Sequence, residues 1–263
     1  MPPFHFHPGT TPLLISIPHA GTAVPDDIAE RFTPVGRALP DTDWYVHHLY
    51  DFARRLGASV LTANYSRYVV DLNRAPDSAL LYSASPTTPV CASRTFADEP
   101  IYTDGYSPSE PEVQGRVAKY WQPYHHCIAA ELARIRQEYG VALLWDAHSI
   151  ASEIPSLFAG SLPEFNLGTR DGASCPSNIV NVLAEEVRAS GKFSVVMNGR
   201  FKGGYITMHY GRPSENIYAV QLELAQRTYM TESPLGPWDA ARARDVMECI
   251  ERLIVRYLKL NES

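Results

Sequence analysis

Two short apolar runs constrain this chain more than any other feature. Leu13-Leu14-Ile15-Ser16-Ile17 and Val141-Ala142-Leu143-Leu144-Trp145 carry apolar side chains at consecutive rather than alternating positions. A strand of that kind has two faces to hide, so its sheet must be covered on both sides. Helical patterns that can supply the cover lie between and after the runs. In 111–138, Val113, Val117, Tyr120, Trp121, Tyr124, Ile128, Leu132 and Ile135 recur at helical spacing, with Pro123 expected to kink the helix and Gly140 to stop it. Segments 43–56, 178–189 and 238–260 also read as helices, the first ended by Gly57. Segments 59–62, 68–72, 193–197 and 217–224 read as further strands. Strands alternating with helices predict an α/β fold: a single-domain, three-layer sandwich around a mostly parallel or mixed central sheet. Residues 76–111 read as a loop-rich excursion from that domain, and 151–176 and 199–211 as loops.

Charge and cysteine usage narrow the function. The 263 residues carry a net charge of -6, which disfavours a nucleic-acid partner. No apolar run approaches the ~20 residues of a membrane span. Residues 1–12 contain no Lys or Arg and no apolar stretch of a secretory signal, and the expectation is a cytoplasmic protein. The four cysteines, Cys91, Cys127, Cys175 and Cys249, are far apart and read as free thiols rather than as a zinc site or a disulfide framework.

In open α/β sheets, ligands bind beyond the C-terminal ends of the strands. Several predicted strands end in residues capable of chemistry. His19 follows the first run, and Asp146-Ala147-His148-Ser149 follows the second. Asp41-Thr42-Asp43 puts two carboxylates at a helix start, where either can bind a ligand while the other caps. Two imidazoles and one carboxylate are a donor set that catalytic zinc uses, leaving a position for water whose pKa falls to roughly 7. Asp146 is placed to accept a hydrogen bond from a ligand imidazole. Glu223, alone on an otherwise apolar strand, needs a partner or a proton to move. Arg67 and Arg74 flank Asp71 and can pair with it. The adjacent pairs His47-His48 and His125-His126 point about 100° apart on a helix and chelate poorly. His5 and His7 are expected to be solvated in a frayed N-terminus. The phosphate-loop patterns and the Gly-x-Ser-x-Gly elbow are missing.

Ser-Ile-Pro-His19-Ala-Gly, Asp-Thr-Asp43-Trp, Ser-Arg67-Tyr-Val-Val-Asp-Leu-Asn73-Arg74, Asp146-Ala-His148-Ser, Lys-Gly-Gly-Tyr205-Ile-Thr and Gln-Leu-Glu223-Leu, in this order, resemble the N-formylglutamate amidohydrolase family from about residue 12 to the C-terminal helix. The resemblance implies a phosphorylase/hydrolase-like α/β core related to zinc exopeptidases and aspartoacylases. It implies one Zn2+ held by His19, Asp43 and His148, with Glu223 as general base and then acid. It implies that Arg67 polarises the scissile carbonyl and that Asn73 and Arg74 line the substrate pocket. Two substrate carboxylates need cationic holders, and Arg74 is the best candidate, with Asn73, Tyr205 and His209 in support. The implied reaction is hydrolysis of N-formyl-L-glutamate to formate and L-glutamate, in histidine degradation. Another N-acyl amino acid or a small peptide is the alternative substrate. One position departs from the family pattern: Met208 stands where arginine is expected, with Arg212 or Lys202 as replacements to hold a substrate carboxylate.

Overall fold

The computed structural model describes residues 1–77, 88–232 and 236–260. Seven strands, β1 (Phe4–His7), β2 (Leu13–Ile17), β3 (Ser59–Ala63), β4 (Ala142–Ile150), β5 (Phe165–Gly168), β6 (Val195–Met197) and β7 (Ile217–Ala225), form one sheet in the order β1-β3-β2-β4-β7-β5-β6. Strands β3, β2, β4 and β7 run parallel at its centre. β1 joins β3 antiparallel at one edge, and β5 joins β7 antiparallel toward the other. The sheet is therefore mixed. The helices are α1 (Asp26–Ala29), α2 (Pro34–Ala38), α3 (Val46–Leu49), α4 (Glu110–Arg116), α5 (Gln122–Tyr139), α6 (Ser177–Ala189), α7 (Tyr205–Tyr210) and α8 (Ala240–Lys259).

The consecutive apolar runs do what their pattern demands. Leu13, Ile15 and Ile17 of β2 and Leu143, Trp145 and Ala147 of β4 pack with Leu183 of α6 and Ile250 and Leu253 of α8. Their neighbours Leu14, Ala142 and Leu144 pack on the opposite face with Tyr124, Ile128 and Leu132 of α5 and Ile206 of α7. Two cores separated by one sheet make the three layers. Every residue of β2 and β4 is buried. α8 starts where Asp239 accepts backbone N–H bonds from Ala241 and Arg242. Among the described residues no helix is long and apolar enough to cross a membrane.

Several elements differ from the sequence reading. The N-terminus is not frayed: β1 pairs Phe4 with Ala63 and His7 with Val60, which leaves His5 and His7 exposed but ordered. Segment 43–56 is not one helix. Tyr45 adopts a left-handed φ of 61°, so only the turn α3 forms, followed by a 3-10 turn at Ala53–Leu56. Segment 68–72 is a buried turn, because β1 already occupies the edge of β3. An apolar run does not by itself distinguish a buried strand from a buried turn. The distortion expected at Pro123 takes the form of a π turn, Val117–Trp121, which absorbs the missing proline donor without breaking the rod. Segment 151–176 contains β5, and 199–211 contains α7. Part of the excursion at 76–111 lies outside the described residues. Its described portion is irregular, tied to the domain by bridges such as Phe32 with Tyr102. All four cysteines are free thiols.

Candidate active site

Pleat and register build the site. His148 of β4 lies opposite Glu223 of β7, and Asp146 lies opposite Gln221. The side-chain period of two puts these four residues on the face that α5 and α7 cover. His148 was expected just past its strand; it sits inside β4, which runs on to Ile150. His19 follows β2, the neighbouring strand, after Pro18. Asp43 is drawn in because its backbone N–H donates to the His19 carbonyl at 3.1 Å.

His19, Asp43 and His148 come together as a buried group whose ligand atoms all lie within 4.8 Å of one another. Nδ1 of His148 is 2.9 Å from Asp43 Oδ2, and Nδ1 of His19 is 3.8 Å from the same oxygen. Nε2 of His19 is held by Asp71 Oδ1 at 2.8 Å, and Nε2 of His148 by Asp146 Oδ2 at 3.0 Å. Each imidazole thus has one nitrogen fixed by a carboxylate and the other turned toward Asp43, an arrangement that orients metal-binding histidines. Nδ1 of His19 is buried with no hydrogen-bond partner among the described residues. A buried orphan of that kind is costly, and a cation satisfies it. The donor set suits zinc.

The electrostatics agree. Asp43, Asp71, Asp146 and Glu223 are buried around two imidazoles and Arg67. Burial opposes protonation of His148, but Asp146 and Asp43 raise it well above the usual imidazole range. Burial and the Arg67 charge lower His19, against the pull of Asp71. Burial would raise Asp71, yet His19 and Arg67 hold it well below the usual carboxylate range. Burial pushes the Glu223 carboxyl up to about 8, with His148 opposing and Asp43 reinforcing. Glu223 Oε2 accepts from Gln221 Nε2 at 3.3 Å, and Gln221 is fixed in turn by accepting the Gly204 N–H at 2.7 Å.

The cluster floors a cleft of about 830 Å³ including its mouth, lined also by Arg67, Arg74, Arg200 and Gly203-Gly204. Arg67 donates to Asp71 Oδ2 at 2.7 Å and lies over the Phe96 ring. Asn73 is fully committed: Oδ1 accepts the Ile206 N–H at 2.8 Å, while Nδ2 rests 2.9 Å from His148 Nε2 and 3.3 Å from Asp146 Oδ2. Asn73 thus lines the cleft with an amide already in use, and it braces His148 through Asp146, the carboxylate to which both donate. A Cβ on Gly204 would meet the Asn73 amide at 2.3 Å, so glycine is required for this approach. Arg74 is half-buried, donating from Nε to Thr88 Oγ1 at 3.0 Å.

Other expected residues fall elsewhere. Asp41 accepts from the Tyr68 hydroxyl at 2.7 Å and the Phe96 N–H at 2.9 Å, which leaves Asp43 as the carboxylate of the cluster. Tyr205 and His209 stack on each other beside the cleft and do not line it. Met208 is exposed and also outside the lining. Its two suggested replacements are engaged away from the cleft, Lys202 with Asp171 at 2.9 Å and Arg212 with Glu215 at 3.8 Å. His47 and His48 pack against one another, away from the cluster. His125 is buried and bonded to the Leu72 carbonyl at 2.8 Å, and its partner in sequence, His126, is exposed. Sequence reasoning missed Asp71 as the His19 partner, Gln221 and Arg200. Gln221 could have been found, because it shares a strand face with Glu223 two positions away.

Fold and site together define a class: a mixed α/β sandwich that carries a buried His-Asp-His group beside an elevated carboxyl at the ends of its central strands. Residues 11–230 match the family model for N-formylglutamate amidohydrolase. The chain is 51% identical over 228 residues to the N-formylglutamate deformylase of Pseudomonas putida, covering 87% of this chain and 85% of that one. It is 49% identical over 249 residues to the N-formylglutamate deformylase of Pseudomonas aeruginosa, covering 95% and 93%. The crystal structure of N-formylglutamate amidohydrolase from Ralstonia eutropha JMP134 superposes with a TM-score of 0.83 at 25% identity, covering 100% of this chain and 98% of that one. This chain belongs to the N-formylglutamate amidohydrolase family.

Proposed function

We propose that the protein hydrolyses N-formyl-L-glutamate to formate and L-glutamate, within histidine degradation in the cytoplasm, and that it depends on one zinc ion. The observation that carries the reading is the convergence of His19, Asp43 and His148 within 4.8 Å, beside the buried carboxyl of Glu223. The identity of about half the residues with two deformylases supports the substrate. His19 and His148, through Nδ1, and Asp43 would hold the ion. Zinc bound there supplies Lewis acidity, lowering the pKa of water and polarising the formyl carbonyl.

The chain's own residues do the rest. Glu223 takes the proton of the attacking water and returns it to the amine nitrogen as the C–N bond breaks. A carboxyl that titrates near neutrality can both accept and release a proton, and burial moves Glu223 in that direction. Arg67, anchored by Asp71, stabilises the negative charge that develops on the carbonyl oxygen. Arg74, at the cleft wall, binds the carboxylate next to the scissile bond, since a guanidinium fork matches a carboxylate with two hydrogen bonds. Tyr205 and His209 support this wall from behind.

The test is formate release from N-formyl-L-glutamate by wild type and Glu223→Gln, with and without a chelator. The wild type should release formate and lose activity on chelation. Glu223→Gln should retain its metal while kcat falls by about 10²- to 10⁴-fold. A variant with near wild-type kcat removes Glu223 as the base. Activity that survives complete metal removal removes the cation from the reaction.

A further inference from the structure

Resting on the reading just given, we propose that Arg200 selects the substrate, binding the side-chain carboxylate of an N-formyl dicarboxylic amino acid. Three arginines line the cleft, and their burial is graded. Arg67 is buried against the cluster, Arg74 is half-buried, and Arg200 is exposed at the rim. The groups that need a cation follow the same sequence along the substrate: the carbonyl oxygen, on which negative charge develops as water adds, then the α-carboxylate, then the side-chain carboxylate farther along the molecule. With Arg67 at the first and Arg74 at the second, the third falls to Arg200.

The local geometry makes Arg200 a prepared fork rather than a loose surface cation. Its Nε donates to the Leu157 carbonyl at 2.8 Å, and its guanidinium lies over the Phe201 ring, 5.5 Å from the centroid. Phe201 is itself fixed edge-on by Phe158, with ring centroids 6.1 Å apart. This fastening uses one edge of the guanidinium. Among the described residues neither terminal nitrogen meets a carboxylate: Arg200 takes part in no ion pair. Arg67, by contrast, is neutralised by Asp71 at 2.7 Å. Lys202 and Arg212 face partners of their own and do not line the cleft. An unpaired, pre-oriented guanidinium on a cleft wall costs little further entropy to bind a carboxylate.

The experiment compares wild type, Arg200→Gln and Arg200→Lys on N-formyl-L-glutamate and N-formyl-L-glutamine. Arg200→Gln should raise KM for the acid about tenfold with kcat nearly unchanged, leave the amide KM unaltered, and so abolish the preference for the acid. Arg200→Lys should restore part of that preference. Equal effects on acid and amide, or no effect on either, overturn the assignment. Calorimetric binding of L-glutamate against L-glutamine reads the same contact without turnover. If wild type releases no formate but Arg200→Gln still weakens L-glutamate binding selectively, the carboxylate site stands and the reaction assignment falls. If L-glutamate binding is unchanged, the carboxylate site falls whatever the turnover.

Discussion

Asp71→Asn tests whether one carboxylate serves both the cation site and the arginine beside it. Asp71 Oδ1 accepts from His19 Nε2 at 2.8 Å and from the Asn73 backbone N–H at 2.9 Å, while Oδ2 accepts from Arg67 Nη2 at 2.7 Å. An amide has only one acceptor oxygen. If it stays on His19, an NH2 group faces the Arg67 donor, and of its two ion pairs Arg67 keeps the longer one, to Asp43 at 3.9 Å. Breaking a buried pair typically costs 3–5 kcal/mol, and Asp43 offsets part of it, so the metal-free variant should lose about 3 kcal/mol. If the amide flips, His19 meets a donor instead and its ring orientation is no longer enforced. Loss of such a partner lowers metal affinity by about 10- to 100-fold. Asp146→Asn is the control, because Asp146 holds His148 without contacting an arginine. It should weaken the metal comparably with a smaller loss of stability. Urea unfolding in chelator and competition with a chromophoric zinc chelator supply the two measurements. Wild-type unfolding together with wild-type metal affinity in Asp71→Asn would refute the reasoning.

Gly204→Ala should cut kcat at least tenfold, because its methyl group would meet the Asn73 amide at 2.3 Å and displace the brace on His148; a wild-type kcat would show that the brace is dispensable. Glu112 reports on acid stability, being held down to about 2 by its bonds to Arg31 and Arg116, against partial burial. Its folded pKa is depressed, so the contribution is present above the unfolded value and lost as pH falls from about 4.5 through about 2. After solvent screening it amounts to ~1 kcal/mol, and Glu112→Gln should flatten the unfolding midpoint across that window; an unchanged pH dependence would count against this.

What the sequence revealed depended on whether the signal was local. His19 and His148 were legible because each closes or ends an apolar run, where a polar residue needs a reason. Glu223 stood out for the same cause. Asp71 was visible as a carboxylate, but its bond to His19 spans 52 positions and follows from a turn that reads like a strand. β5 was missed because its four residues are set in a stretch punctuated by Pro155, Gly160, Pro163 and Gly172, which reads as loop. α7 hid among glycines, and its start is set by bonds from Gly204 to Gln221 and from Ile206 to Asn73. Arg200, a single cation in a loop, carries no pattern at all. Its meaning comes entirely from the cleft that distant segments close around it.

His148 and Glu223 face each other across adjacent parallel strands. Their separation is thus set by the spacing of the backbone ladder, roughly 4.8 Å, rather than by any connecting segment. Rim loops that choose between substrates can be rewritten without retuning the interval between imidazole and carboxyl. The same rigidity makes the arrangement all-or-none. Slipping β7 by one position would keep every backbone bond in kind, yet present Leu222 or Leu224 where the carboxyl stands.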